Sequence, residues 1–124
     1  MDGSILIVDD EVDLAEMIGD ILASKGYSCT LCCNGIEATK VLSRESFDLI
    51  ITDLKMPEMS GPELCRWIRK ASIPTPIVTM SGNEGEDAEL KKLGVIGHLR
   101  KPFSIATLLN FVKIESTAKK TGSG

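Results

Sequence analysis

The chain has 124 residues, 43% hydrophobic and 26% charged, with a formal net charge of −4. A chain of that size buries one core without staples, and its composition is that of a soluble globular domain, not a disordered or fibrous one. The acidic balance argues against direct nucleic-acid binding, which needs clustered Lys and Arg, and no apolar run approaches the ~20 residues of a membrane span.

Met1-Asp2-Gly3-Ser4 lacks the basic and apolar regions of a signal peptide, so the chain is read as cytoplasmic. Cys29, Cys32 and Cys33 form a C-x-x-C-C cluster, with Cys65 far off and His98 the one histidine. No second paired-Cys motif follows, which favours cysteines that pack as small apolar residues on a strand over a zinc or redox site.

Ser4-Ile5-Leu6-Ile7-Val8 is a β-branched-rich apolar run that stops at Asp9-Asp10-Glu11, as expected of a buried parallel strand delivering acids to its carboxyl end. Leu14, Met17, Ile18, Ile21 and Leu22 then recur at helical spacing, and Gly26 is placed to end that helix. Tyr27 to Cys32 is a less apolar strand, expected near the sheet edge. Asn34-Gly35 turns into a short helix with Glu37 set as in a capping box and Ala38, Val41 and Leu42 on its inner face. Asp48 to Thr52 is a strand buried on both faces, ending on Asp53.

Ser60-Gly61-Pro62-Glu63 reads as a helix start, continued by Leu64, Trp67 and Ile68. Pro74-Thr75-Pro76 leads into a fourth strand, Ile77-Val78-Thr79-Met80, closed by Ser81-Gly82-Asn83. Gly85 to Leu93 is charged with a thin apolar stripe, a mobile helix capped by Gly94. Val95 to Arg100 is a fifth strand; Lys101-Pro102-Phe103 follows, and Ser104 caps a last helix with the stripe Ile105, Leu108, Leu109 and Val112. Residues 1–118 are thus expected as one domain, with 119–124 a tail, disordered or an expression remnant. Alternating strands and helices predict an α/β, flavodoxin-like, doubly wound five-stranded parallel sheet of order 2-1-3-4-5, with five helices on both faces and right-handed crossovers.

In that order the first and third strands are neighbours, so Asp9 and Asp10 sit beside Asp53. An Asp after a strand is commonly only a cap or turn residue. Here four strand ends carry polar groups: Asp9-Asp10, Asp53, Ser81 and Lys101. Two carboxylates 4 Å apart repel by about 4 kcal/mol at an effective dielectric near 20, so cations are needed. Lys101 supplies one, and Mg²⁺ fits the remainder because it takes one or two carboxylates and leaves room for a phosphate oxygen. Such a site suits phosphoryl transfer, with Asp53 as carboxylate nucleophile, Mg²⁺ and Lys101 neutralising the transferred group, and Ser81 offering a hydroxyl.

The chain resembles the receiver domain of two-component response regulators over essentially its full length. The resemblance rests on Ile5-Leu6-Ile7-Val8-Asp9-Asp10-Glu11, Asp53-Leu54-Lys55-Met56-Pro57 with Gly61, Met80-Ser81-Gly82, and Lys101-Pro102-Phe103. It implies a phosphoacceptor switch that catalyses its own phosphorylation and slow dephosphorylation. Asp53 would receive the group from a sensor histidine kinase or a histidine phosphotransfer protein. Asp10 and Asp53 would ligate Mg²⁺ directly, Asp9 through water, and Lys55 by its carbonyl. Ser81 and His98 fall on the switch pair: Ser81 would move toward the phosphoryl group and make room for His98 from the surface. The surface of the fourth helix, fifth strand and last helix would then change its affinity for a downstream protein target or support a phosphorylation-dependent dimer. Lys55 and Asn83 fall where the family tunes dephosphorylation, and the Lys101-Pro102 bond matches one usually cis.

One departure is His98, where Tyr or Phe is usual; an imidazole there makes a pH-sensitive output a hypothesis. The first rival reading is a small aspartyl-phosphate-using phosphatase or phosphotransferase. It needs a second acid two residues after the nucleophile, where this chain has Lys55. The other is a nucleotide or flavin binder, which needs a Gly-rich loop where Asp9-Asp10-Glu11 stands.

Overall fold

The computed structural model describes residues 3–82 and 88–112. Five strands, β1 (Ser4–Val8), β2 (Ser28–Cys32), β3 (Leu49–Asp53), β4 (Ile77–Ser81) and β5 (Val95–Arg100), alternate with α1 (Val12–Ala23), α2 (Gly35–Leu42), α3 (Gly61–Lys70) and α4 (Ala88–Lys92). A fifth helix, α5, covers 105–112. The strands are all parallel in the order β2-β1-β3-β4-β5, as the alternation predicts.

Successive strand side chains point to opposite faces, so each central strand feeds two cores. Leu6, Val8, Ile50 and Ile77 pack with α2, α3 and α4 through Ala38, Val41, Leu64, Ile68 and Leu90. Ile5, Ile7, Ile51, Val78 and Met80 pack on the other face with Ala15, Ile18 and Leu22 of α1 and Leu108 and Val112 of α5. Each fully buried aliphatic of this kind contributes about 1.5–3 kcal/mol.

The caps follow the sequence closely. Ser60 and Glu63 form a reciprocal capping box at α3, and Ser104 Oγ accepts from the Thr107 N–H at 3.1 Å. At α2, Asn34 Oδ1 accepts from the Glu37 N–H at 2.8 Å, but Glu37 returns its carboxylate to the Cys33 N–H, one residue early. Gly26 and Gly94 end helices at φ 98 and 83, a region costly for any side chain. Of the helix expected over 85–93, the part from Ala88 is described, and the segment before it, with Asn83, lies outside the described residues, as does the 119–124 tail.

Two expected core positions differ. Met17 and Ile105 are 49% and 55% exposed. Met17 sits about 100° round the helix from Ile18 and falls beside the face that Ala15, Ile18, Gly19 and Leu22 present. Ile105 opens α5 a turn ahead of Leu108 and stays in solvent.

All four cysteines are free. Burial pushes the Cys32 and Cys65 thiols up to about 12 and about 11, and that of Cys29 up as well, so these three stay protonated and inert.

Candidate functional site

The ladder itself delivers the site. Val8 pairs with Thr52, so Asp9 and Asp53, each one residue further on, emerge side by side from β1 and β3. Asp53 pairs with Met80 and Ser81 with Arg100, which steps Ser81 and Lys101 to the same end of the sheet. Backbone hydrogen bonds carry the pairing past the strand ends: Asp9 N–H to the Cys32 carbonyl (3.0 Å), Leu54 N–H to Met80 (3.0 Å) and Lys101 N–H to Ser81 (2.8 Å). The Lys101-Pro102 bond is cis.

Asp9, Asp10 and Asp53 each offer a carboxylate oxygen, all within 4.8 Å of one another. Asp9 and Asp53 are buried, while Asp10 is exposed. The Lys101 ammonium lies 3.1 Å from Asp9 Oδ2 and 3.4 Å from Asp53 Oδ1. It also pairs at 3.0 Å with Glu11, a partner the sequence reading did not assign to the site. The other Asp9 oxygen, Oδ1, accepts the Glu11 N–H at 2.9 Å.

Burial raises the Asp9 carboxyl above the usual range, although the Glu11 N–H and Lys101 pull it back. Burial and then the Asp9 charge raise Asp53, opposed by Lys101. Burial works to lower the Lys101 ammonium, but hydrogen bonds to Glu11 and Asp9 and the nearby Asp charges outweigh it and hold it above its usual value. Among the described residues, one ammonium set against four carboxylates leaves the pocket short of positive charge. The donor set, hard carboxylate oxygens opening to solvent at Asp10, fits a divalent cation of the Mg²⁺ type.

Gly61 holds the Asp53 end of β3 against α3. Its N–H donates to the Leu54 carbonyl at 2.9 Å, and a Cβ there would lie 2.6 Å from Leu54 Cα and closer still to the Asp53 carbonyl. Lys55, next along this loop, is exposed.

Ser81 is 5% exposed, and its Oγ lies 3.1 Å from His98 Nε2. His98 was expected at the surface, to enter only once Ser81 had moved. Instead it is half-buried and turned in, its Nδ1 2.7 Å from Thr79 Oγ1. The reason is register: Thr79 and His98 are paired residues, and Thr79 shares a strand face with Ser81, so the ring bridges two hydroxyls. Thr79 went unassigned in the sequence reading; the two-residue spacing to Ser81 was the available signal.

The structure thus brings together Asp9, Asp10, Asp53, Lys101 and, alongside, Ser81 and His98. The family model of the response regulator receiver domain matches residues 5–113. Sporulation initiation phosphotransferase F of Bacillus subtilis is 31% identical over 115 residues, covering 91% of this chain and 93% of its own. A probable transcriptional regulator, ycf27, of Cyanidium caldarium is 39% identical over 101 residues, 81% of this chain but 41% of that longer protein. Among solved structures, the chemotaxis response regulator CheY4 of Vibrio cholerae superposes with a TM-score of 0.87 at 31% identity, over 93% of this chain and 99% of that one. The receiver domain of a LuxO repressor protein from Vibrio parahaemolyticus gives 0.91 at 26% identity, over 99% and 96%. This chain belongs to the response regulator receiver domain family.

Proposed function

We propose that the domain, residues 1–118, is a phosphoacceptor switch in which Asp53 takes a phosphoryl group from the phosphohistidine of a sensor histidine kinase or a histidine phosphotransfer protein. The observation that carries this reading is the convergence of Asp9, Asp10, Asp53 and Lys101 at neighbouring strand tips. An Asp53 carboxylate oxygen attacks phosphorus, the bond from phosphorus to the donor nitrogen breaks, and the histidine leaves with the electron pair. Lys101 sits where it offsets charge on the transferred group, which is most of what this reaction requires of a protein. Asp10 and Asp53 would hold Mg²⁺ directly, Asp9 through water, and the Lys55 carbonyl would complete the protein ligands. Held there, the ion would supply further charge neutralisation for the reaction. Lys55, exposed two residues after Asp53, and Asn83, by its place in the family motif, would set how readily water removes the group.

Phosphorylation adds roughly −1.5 to −2 charge at Asp53. Ser81 donates to the new oxygens, and His98, already in contact with it, passes the change to β5. The surface of α4, β5 and α5 then shifts its affinity for a downstream protein or a second copy of this chain, a population shift driven by a local charge. No described helix is long and apolar enough to cross a membrane; a cytoplasmic protein working through protein partners rather than nucleic acid fits this role.

The test is intact mass after incubation with a small phosphodonor such as acetyl phosphate. Wild type gains one phosphoryl group only with Mg²⁺, and Asp53→Asn gains none. Continuous turnover of the donor with no stable adduct would instead support a phosphatase.

A further inference from the structure

We propose that Thr79 is a positioning residue that sets the tautomer of His98 and thereby the direction in which Ser81 donates its proton. This rests on the switch role given to Ser81 above. Thr79 is 1% exposed, so water does not compete for its hydroxyl. That hydroxyl has a single proton and two acceptors in reach: His98 Nδ1 at 2.7 Å and the Gly97 carbonyl at 3.5 Å. The first distance is optimal for an O–H donor and the second lies at the limit of a hydrogen bond. With the proton directed to Nδ1, the neutral ring carries its own on Nε2.

Nε2–H then donates to Ser81 Oγ at 3.1 Å. Ser81 spends a lone pair on the ring and keeps its O–H for an acceptor elsewhere. The three groups therefore form one chain of donors running from Thr79 through His98 to Ser81, each polarising the next. The opposite tautomer would turn the Ser81 proton onto Nε2 and leave a lone pair facing the incoming phosphoryl oxygens, which repel it. With the direction already set, phosphorylation needs no proton exchange at the ring.

His98 is the only histidine in the sequence, so imidazole ¹⁵N spectra of the full chain report on it alone. In the neutral ring of unphosphorylated wild type we expect a pyrrole-like Nε2 and a pyridine-like Nδ1. Thr79→Val, which removes the donor at nearly constant shape, is expected to lose that assignment to a mixture or to Nδ1–H, and Thr79→Ser to restore it. A wild-type ring protonated on Nδ1, or an assignment unmoved in Thr79→Val, would overturn the proposal. So would failure of Thr79→Ser to restore it, and Thr79→Ala, which also removes the hydroxyl, is read in the same way should the valine variant not fold. These spectra need no phosphoryl group: failure of Asp53 to become phosphorylated strikes the functional reading and leaves the tautomer result standing.

Discussion

Replacing Lys101 with methionine is expected to destabilise the metal-free chain by about 3 kcal/mol at neutral pH, the low end for stranding a buried charge by removing its partner. The Lys101 side chain is 16% exposed, and Asp9 beside it is wholly buried. Their 3.1 Å contact is therefore not the screened surface pair that contributes little. Methionine keeps the stem and its packing, so the loss isolates the charge.

The pH dependence has a definite sign. Asp9 and Asp53 have folded-state pKa values raised above the ordinary 3.8. Between that value and the folded one, the native state binds more protons than the unfolded chain, so stability falls as pH rises through the window. Their penalty is fully present above it. Lys101 is raised as well, so its contribution is complete below its ordinary 10.5 and is lost only as pH climbs through its folded value. Removing the ammonium widens the acid window upward. The deficit in Lys101→Met should therefore be largest at neutral pH and shrink on acidification, as protonated carboxyls need no counter-charge. Urea melts across this range check it, and a deficit independent of pH would mean that Lys101 acts through packing.

The second large effect belongs to Gly61. Gly61→Ala is expected to cost about 1–3 kcal/mol, the range for overpacking, because the new Cβ meets main chain on β3 and not a side chain that can swing aside. The Leu54 carbonyl bond to the Gly61 N–H would lengthen, and the Asp53 carboxylate would move with its strand end. Slower acquisition of phosphoryl from a small donor should accompany the loss of stability. Gly19→Ala is the control: the Cβ there first meets the terminal methyl groups of the flexible Leu31 side chain, 3.3 Å away at the nearest, and a smaller loss is expected. Equal costs at the two positions would contradict this account of Gly61.

How much of this was legible in the residues depended on whether the information was local. The strand runs and the tips bearing Asp9, Asp53, Ser81 and Lys101 were readable because a strand buried on both faces leaves an uninterrupted apolar run that ends abruptly. The Ser60–Glu63 box and the Ser104 cap were readable because the partners lie three residues apart. The Lys101 bond to Glu11 was not, since it spans 90 positions and depends on where a long side chain comes to rest. Nor was the inward His98, whose orientation follows from the β4–β5 register. Met17 and Ile105 misled because periodicity identifies a stripe but not its edges.

The central claim is tested most directly by locating the phosphoryl group. Borohydride reduces an acyl phosphate to the alcohol, so an aspartate that carried the group is converted to homoserine and can be found by peptide sequencing. After incubation with acetyl phosphate and Mg²⁺, the tag should appear at position 53 and nowhere else, and it should vanish when the cation is chelated. A tag at Asp9 or Asp10, or one at Asp53 that forms equally well without the metal, would contradict it.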